Sequence, residues 1–260
     1  MMSNKIIVHK FPKEWEFMEI YPLNDLHIGD KHTDMKLFNQ FKKFILEDER
    51  RFIICNGDLI NNAIKTSVSD VYEESITPRE QKKRLLEELR PLKECILGIT
   101  TGNHEERTSK LTNQDISEDI ADALGLSHLY SSNGLFIKIS LGQRNGKKRQ
   151  ITYCVHAFHG VGGGKKSGSS INNLEDYALG FEGVDIFIMA HVHKKIGTKF
   201  VKNIVDTKNN VITSKEQLCI VSCAWQDWGG YAQRFMLKGS PKGATKILLN
   251  GRKKEAVVEI

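Results

Sequence analysis

Five short apolar runs in this 260-residue chain each end in a cluster of Asp, Asn or His. Phe17 to Leu23 runs into Asn24-Asp25-Leu26-His27. Phe52 to Cys55 runs into Asn56-Gly57-Asp58. Cys95 to Ile99 runs into Thr101-Gly102-Asn103-His104-Glu105. Ile151 to Phe158 runs into His159-Gly160, and Val184 to Met189 into Ala190-His191-Val192-His193. Short continuous apolar runs read as buried strands. In open α/β sheets, ligands bind beyond the strands' carboxyl ends. The chain is therefore expected to fold as an α/β protein that gathers polar side chains at one end of its sheets.

Helical signals fall between these runs. Leu37, Phe38, Phe41, Phe44 and Ile45 share one face behind Asp34, predicting a helix over 35–48. Thr77-Pro78-Arg79-Glu80 is a capping-box start. Ile116, Ile120, Ala123 and Leu124 mark another helix, stopped by Gly125. Residues 134–141 and 149–158 read as a hairpin, with a helix near 170–180. Residues 196–223 and 232–260 read as β segments joined by turns. The expectation is one domain over 1–260, a layered α/β architecture with sheets inside and helices outside. The strand-rich part, 196–260, completes it.

The polar residue types are metal ligands. Imidazole suits zinc, iron and related ions; carboxylate and amide oxygens suit harder cations such as manganese. Asp25, His27, Asp58, Asn103, His159, His191 and His193 exceed one ion's coordination, whereas two ions sharing a bridging carboxylate accommodate them. Paired ions ~3.5–4 Å apart clamp the attacking and leaving oxygens of a phosphate ester. Taken singly, each cluster is an ordinary turn or helix cap. His191 and His193 are expected to share a side because alternate strand positions do so. The ordered set of five carries the chemistry.

That ordered set resembles the calcineurin-like metallophosphoesterase superfamily, whose motifs are D-x-H, G-D, G-N-H-D/E, a His followed by Gly, and G-H-x-H. The matching residues are Asp25-x-His27, Gly57-Asp58, Gly102-Asn103-His104-Glu105, His159-Gly160 and Ala190-His191-x-His193, spanning 25–193. His159-Gly160 with the following Val161-Gly162-Gly163-Gly164 is also similar to a branch found in phages and prophages. Ala190 stands where the family usually has Gly. In the fourth motif His159 is preferred because the Gly-rich loop follows it directly. His156, an odd number of residues away on a strand, is expected to face the other side and stays as the alternative ligand.

The resemblance implies a four-layer α/β/β/α sandwich and metal-dependent hydrolysis of a phosphoester. It assigns Asp25, His27 and His193 to one ion, Asn103, His159 and His191 to a second, and Asp58 to both. His104 contacts the phosphate and protonates the leaving oxygen. Two divalent ions are implied, manganese first, with iron, zinc or nickel as options. A phosphodiester substrate, DNA or a nucleotide, is favoured. The alternatives are a phosphomonoesterase acting on phosphoprotein or nucleotide, and a non-catalytic nucleic-acid-binding protein with a vestigial site.

Composition fits this reading without deciding it. Net charge is +6 and the sequence pI is about 8.9, compatible with a polyanionic substrate. Arg107, Lys165 and Lys166 are candidate phosphate contacts. Arg144-Asn145-Gly146-Lys147-Lys148-Arg149 carries Asn-Gly between alternating runs and reads as a solvated hairpin tip. A further basic run is Arg252-Lys253-Lys254. Trp225, Trp228 and Tyr231 could stack on a base, but such aromatics more often pack a sheet onto its core. The five cysteines, at 55, 95, 154, 219 and 223, lack framework spacing and read as reduced packing residues. No apolar run approaches the ~18 residues of a membrane span and no signal peptide is visible, so a cytoplasmic protein is expected; the sequence is silent on oligomeric state.

Overall fold

The computed structural model describes residues 6–65, 67, 71–144, 148–162, 164, 166–229, 233, 236 and 238–260. In chain order its strands are β1 (Ile6–Lys10), β2 (Phe17–Leu23), β3 (Arg51–Asn56), β4 (Ile96–Thr100), β5 (Leu135–Leu141), β6 (Ile151–Phe158), β7 (Ile186–Met189), β8 (Ile196–Asp206), β9 (Val211–Val221), β10 (Lys246–Asn250) and β11 (Ala256–Glu259). The α-helices are α1 (Met35–Leu46), α2 (Pro78–Leu89), α3 (Asn103–Thr112), α4 (Ile116–Leu124) and α5 (Ser167–Leu179).

Local chemistry explains the helix ends. Asp34 caps α1 by accepting the Leu37 N–H, and Phe38 and Ile45 on its inner face are buried. At α2 the capping box is complete: Thr77 accepts from Glu80 N–H while the Glu80 side chain accepts from Thr77 N–H. Helix α4 starts at an Asp115 cap and ends on left-handed Gly125.

The strands form two mixed sheets, ordered β1-β5-β6-β7-β9-β8 and β11-β10-β2-β3-β4. Strands β2, β3 and β4 run parallel, as do β6, β7 and β9, while β5 and β6 form the expected antiparallel pair. One hydrophobic core joins the facing sides of both sheets, with Ile20 and Ile54 on one side and Ile137 and Val155 on the other. Helices α1 and α4 pack outside the smaller sheet, and α5 packs outside the larger one through Leu174 and Ala178 against Phe187, Cys219 and Val221. The layers therefore run helix, sheet, sheet, helix. Strands β3 and β4 are covered on both faces, which is why they read as unbroken apolar runs.

Three elements differ from the sequence expectation. Strand β1, the edge strand that pairs with β5, precedes the Phe17–Leu23 run; its Ile6-Ile7-Val8 is too short a signal beside Lys and His. Within 232–260, strand occupies only β10 and β11 among the described residues, and β10 pairs with β2. Strand β7 stops at Met189, so His191 and His193 are loop residues. All five cysteines are free; burial pushes the Cys55 and Cys219 thiols up to about 12, which keeps them protonated packing groups. Among the described residues, no helix is long and apolar enough to cross a membrane.

Candidate metal centre

The loops after β2, β3 and β7 turn back through unusual backbone. Asp25 (φ 48°), His27 (φ 49°), Asp58 (φ 52°), His191 (φ 70°) and His193 (φ 52°) are all left-handed. Non-glycine residues rarely adopt this conformation, at about 1–3 kcal/mol each. It is this backbone, not the pleat of a strand, that brings His191 and His193 to one side. The loops hold one another: Asp25 N–H donates to Gly57 O (3.1 Å), His27 N–H to Asp58 O (3.1 Å), and His191 N–H to Asp25 Oδ2 (3.1 Å). A Cβ on Gly102 would fall 2.2 Å from Asp58 Oδ1, and one on Gly57 would fall 2.6 Å from Gly102 Cα. Only glycine at both positions lets the β3 and β4 loops meet.

Among the described residues three overlapping groups result, each with potential ligand atoms within 4.8 Å of one another: Asp25, His27 and His193; His27, Asp58 and His104; Asp58, His159 and His191. In the first group His193 Nε2 lies 3.1 Å from Asp25 Oδ1 and 3.3 Å from His27 Nε2. In the last, His159 Nε2 lies 3.1 Å from both Asp58 Oδ2 and Asn103 Oδ1, and His191 Nδ1 is 2.7 Å from Asn103 Oδ1. Asp58 stands between the groups, with His104 Nε2 3.7 Å from its Oδ2.

The donor chemistry fits cations. His159 Nδ1 faces Asn56 O at 2.9 Å. A carbonyl only accepts, so Nδ1 carries a proton, and Nε2, once a cation displaces its own proton, offers a lone pair beside two oxygens. Asp25 Oδ1 is buried and accepts no hydrogen bond. Donor atoms bound to one ion at about 2.0–2.2 Å sit roughly 3.0–3.5 Å apart, the spacing seen in both groups. Burial works against ionising Asp25 and Asp58, yet the imidazoles of His193, His27, His159 and His104 hold both carboxyls well below their usual range. Conversely, burial alone would lower His159, but the Asp58 charge pushes it up to about 10. A site that draws protons onto its histidines in this way is one that a divalent cation satisfies.

The family model described as calcineurin-like phosphoesterase matches residues 18–195, which contain every one of these groups. The chain belongs to that family. Its members hydrolyse phosphoesters with a dinuclear divalent metal centre, and the Asp25–His193 cluster supplies candidate ligands for one here. Two solved structures are similar over most of the chain. One is GAP50, the anchor in the inner membrane complex of Plasmodium (10% identity, TM-score 0.45, 94% of this chain and 84% of that one). The other is the calcineurin-like phosphoesterase YfkN from Bacillus subtilis (10% identity, TM-score 0.42, 94% and 90%). No curated protein sequence matches the chain.

In this phosphoesterase His156 lies away from the metal cluster. It is buried among Phe136, Phe158 and Tyr177, with Nδ1 3.0 Å from Leu135 O and Nε2 3.1 Å from the Tyr177 hydroxyl. Arg107 follows His104 by three residues on α3, and its Nη1 donates to Asn61 O at 3.2 Å. The same carbonyl lies 2.6 Å from His104 Nδ1, so it orients both side chains. Lys166 is exposed at the start of α5, where its carbonyl accepts from Lys194 Nζ (2.9 Å); its contacts do not reach the cluster. Lys165 lies outside the described residues, as does Tyr231. Trp225 is buried against Phe38 and Phe41, a packing role, while Trp228 is exposed.

Supporting residues carried little sequence signal. Glu105 is buried beneath the centre, and its carboxylate accepts the backbone N–H groups of Asp58 (2.9 Å), Leu59 (2.7 Å), Ile60 (3.2 Å) and Gly102 (3.1 Å). It thereby ties the β3 loop to the start of α3, where His104 N–H donates to Asp58 Oδ1 at 2.8 Å. Asn24 donates to Asp25 Oδ2 and to Cys223 O; left-handed Asn62 donates to His104 O. Glu105 closes the Gly102-Asn103-His104-Glu105 motif without showing what it holds; for Asn24 and Asn62 the clue is asparagine's tolerance of left-handed backbone and its capacity to satisfy buried groups.

Proposed function

We propose that this phosphoesterase cleaves phosphodiesters of DNA or nucleotides with two divalent ions, manganese first among those its donors accept. Asp25, His27 and His193 would hold one ion, Asn103, His159 and His191 the other, and Asp58 both. The observation that carries this reading is the run of overlapping groups among the described residues in which His27 and the buried Asp58 link the Asp25–His193 end to the His159–His191 end. When bound, the two ions supply positive charge that lowers the pKa of water and offsets the charge of the phosphoryl group.

The protein's own residues position and protonate. Asn61 O fixes the His104 ring with Nε2 toward the centre. Burial lowers the His104 pKa to about 3, so it stays neutral until an anion arrives. A phosphate beside it favours the protonated form, and Nε2 can then hand a proton to the leaving oxygen. Arg107, held by the same carbonyl, would contact a phosphate oxygen in this reading. At the N-terminus of α3 the His104 N–H donates to Asp58, favouring the ionised carboxylate. The diester preference draws support from the net charge of +6 and from the similarity of the His159-Gly160 stretch to the phage-type branch.

The test compares hydrolysis of bis(p-nitrophenyl) phosphate and p-nitrophenyl phosphate by metal-stripped protein with and without Mn²⁺. Diester turnover that needs metal and exceeds monoester turnover is expected. A strong monoester preference would assign a phosphatase instead. A folded protein that binds two ions yet turns over neither ester would point to a binding role with a vestigial site.

A further inference from the structure

A second polar feature lies at the opposite end of β6. A pocket of about 450 Å³ opens there, lined by Arg144, Arg149, Gln150, Thr152, Lys253 and Lys254. It sits where the connection leading into β6 meets the turn between β10 and β11, so each sheet contributes one wall. The Asn145-Gly146 tip expected between Arg144 and Arg149 lies outside the described residues; Arg144 and Arg149 themselves stand against a second basic turn.

The walls are fixed by specific contacts. The buried Tyr153 hydroxyl donates to Asn250 O at 2.7 Å, with Glu255 O at 2.9 Å and Lys253 O at 3.1 Å, and accepts the Glu255 N–H at 3.0 Å. Asn250 Oδ1 accepts the N–H groups of Arg252 (2.8 Å) and Lys253 (3.1 Å). The two turns touch backbone to backbone: a Cβ on Gly142 would fall 2.0 Å from Gly251 O. Gln150 Nε2 donates to Phe11 O at 2.7 Å and Gly251 N–H to Glu16 O at 2.6 Å, closing the base. The cations are thus presented on a held framework.

Their charge is only partly answered. Lys254 pairs with Asp185 (2.9 Å) and Lys253 with Glu255 (2.9 Å). Among the described residues, no carboxylate pairs with Arg144 or Arg149, both exposed. Two guanidinium groups beside two lysines suit phosphate oxygens, which arginine can take in pairs. Thr152 is near the start of β6 and His159 follows its end, so pocket and metal cluster are about 23 Å apart at ~3.3 Å per residue. No small ester spans that distance. A nucleic acid does so in about seven base steps.

We propose that this cationic pocket is a second binding site for the phosphate backbone of nucleic acid, remote from the metal centre. The proposal rests on the nucleic-acid reading of the function and extends it from the scissile phosphate to a docking site for the polymer.

The experiment measures binding of a fluorescein-labelled phosphorothioate 20-mer duplex to the full chain by anisotropy, from 50 to 200 mM salt. Arg144→Ala/Arg149→Ala is compared with Lys36→Ala/Lys83→Ala, which removes the same charge from exposed helix positions elsewhere. The pocket variant is expected to bind on the order of tenfold more weakly and to lower the salt slope by about two, one for each lost phosphate contact. Equal losses in both variants would overturn the proposal, as would wild-type affinity in the pocket variant or absence of binding by the wild type. These results are separable from the functional reading. DNA binding through the pocket without cleavage would sink the substrate assignment and leave the pocket standing. Metal-dependent diester turnover with no DNA binding would do the reverse.

Discussion

Asp25, His27 and His193 stand on loop backbone that is left-handed at all three residues, whereas Asn103 opens helix α3 and His159 directly follows strand β6. Only His191 in this second set shares the strained conformation. The supporting contacts differ in the same sense. His159 is oriented by Asn56 O, but the buried His27 Nδ1 has no hydrogen-bond partner and the His193 side chain is 39% exposed. One set is placed by regular structure, the other by strained turns that lean on each other. Ligands fixed beforehand lose less freedom on binding, and oriented imidazoles bind metal better. The ion of the Asn103, His159 and His191 set is therefore expected to be held more tightly.

The largest expected effect removes what both sets share. Asp58→Ala should lose both ions and lower turnover by at least about a hundredfold, read by metal content per chain and by diester hydrolysis. Retention of two ions would show that Asp58 is not shared. The comparison itself is tested next. During dialysis of wild-type protein against a chelator, one equivalent should leave well before the other, with affinities differing roughly tenfold or more. His193→Ala should keep the slowly released ion, whereas His159→Ala should lose that one. Simultaneous release, or the opposite assignment in the two variants, breaks the contrast.

How much of this was legible in the sequence follows the same division. The strand-end clusters were visible because Asp25, Asp58 and His159 sit directly behind apolar runs. The α2 capping box was visible because its residues interact only with near neighbours. The means of bringing His191 and His193 together was not, since left-handed backbone at a histidine leaves no compositional trace. Strand alternation gave the same side for the wrong reason. Nor could a sequence show that Glu105 faces four N–H groups from two loops, because those partners are more than forty residues away for three of the four. Pairing of β10 with β2 is equally remote, joining the last strands to the first motif.

Glu105 offers a smaller perturbation. Glu105→Gln keeps one acceptor oxygen and turns an NH₂ group toward N–H groups that then lack a partner. The expected cost is about 1–3 kcal/mol in urea unfolding. Glu105 grips Asp58 and the residue before Asn103, so the more tightly held ion should suffer most, by about 10–100-fold in affinity. The gap between the two release steps would narrow. Loss of stability with both affinities unchanged would reduce Glu105 to a packing residue. Glu105→Asp, too short to reach all four groups, should give an intermediate gap.

The smallest expected effect concerns Ala190, where the family usually has glycine. Ala190 is not among the residues with positive φ, so a side chain causes no backbone strain there, and its methyl group is fully buried. Its N–H donates to His159 O at 3.0 Å and its carbonyl accepts from Val192 N–H at 2.8 Å. Glycine can make both bonds. What it would lose is one buried methyl and some conformational restriction of the unfolded chain, together about 1–2 kcal/mol. Ala190→Gly should therefore lower stability by that amount and leave metal content and the two-step release unchanged. If it instead tightened either ion, the methyl group would be displacing His191, and the second set would be less well placed than its helix and strand supports suggest.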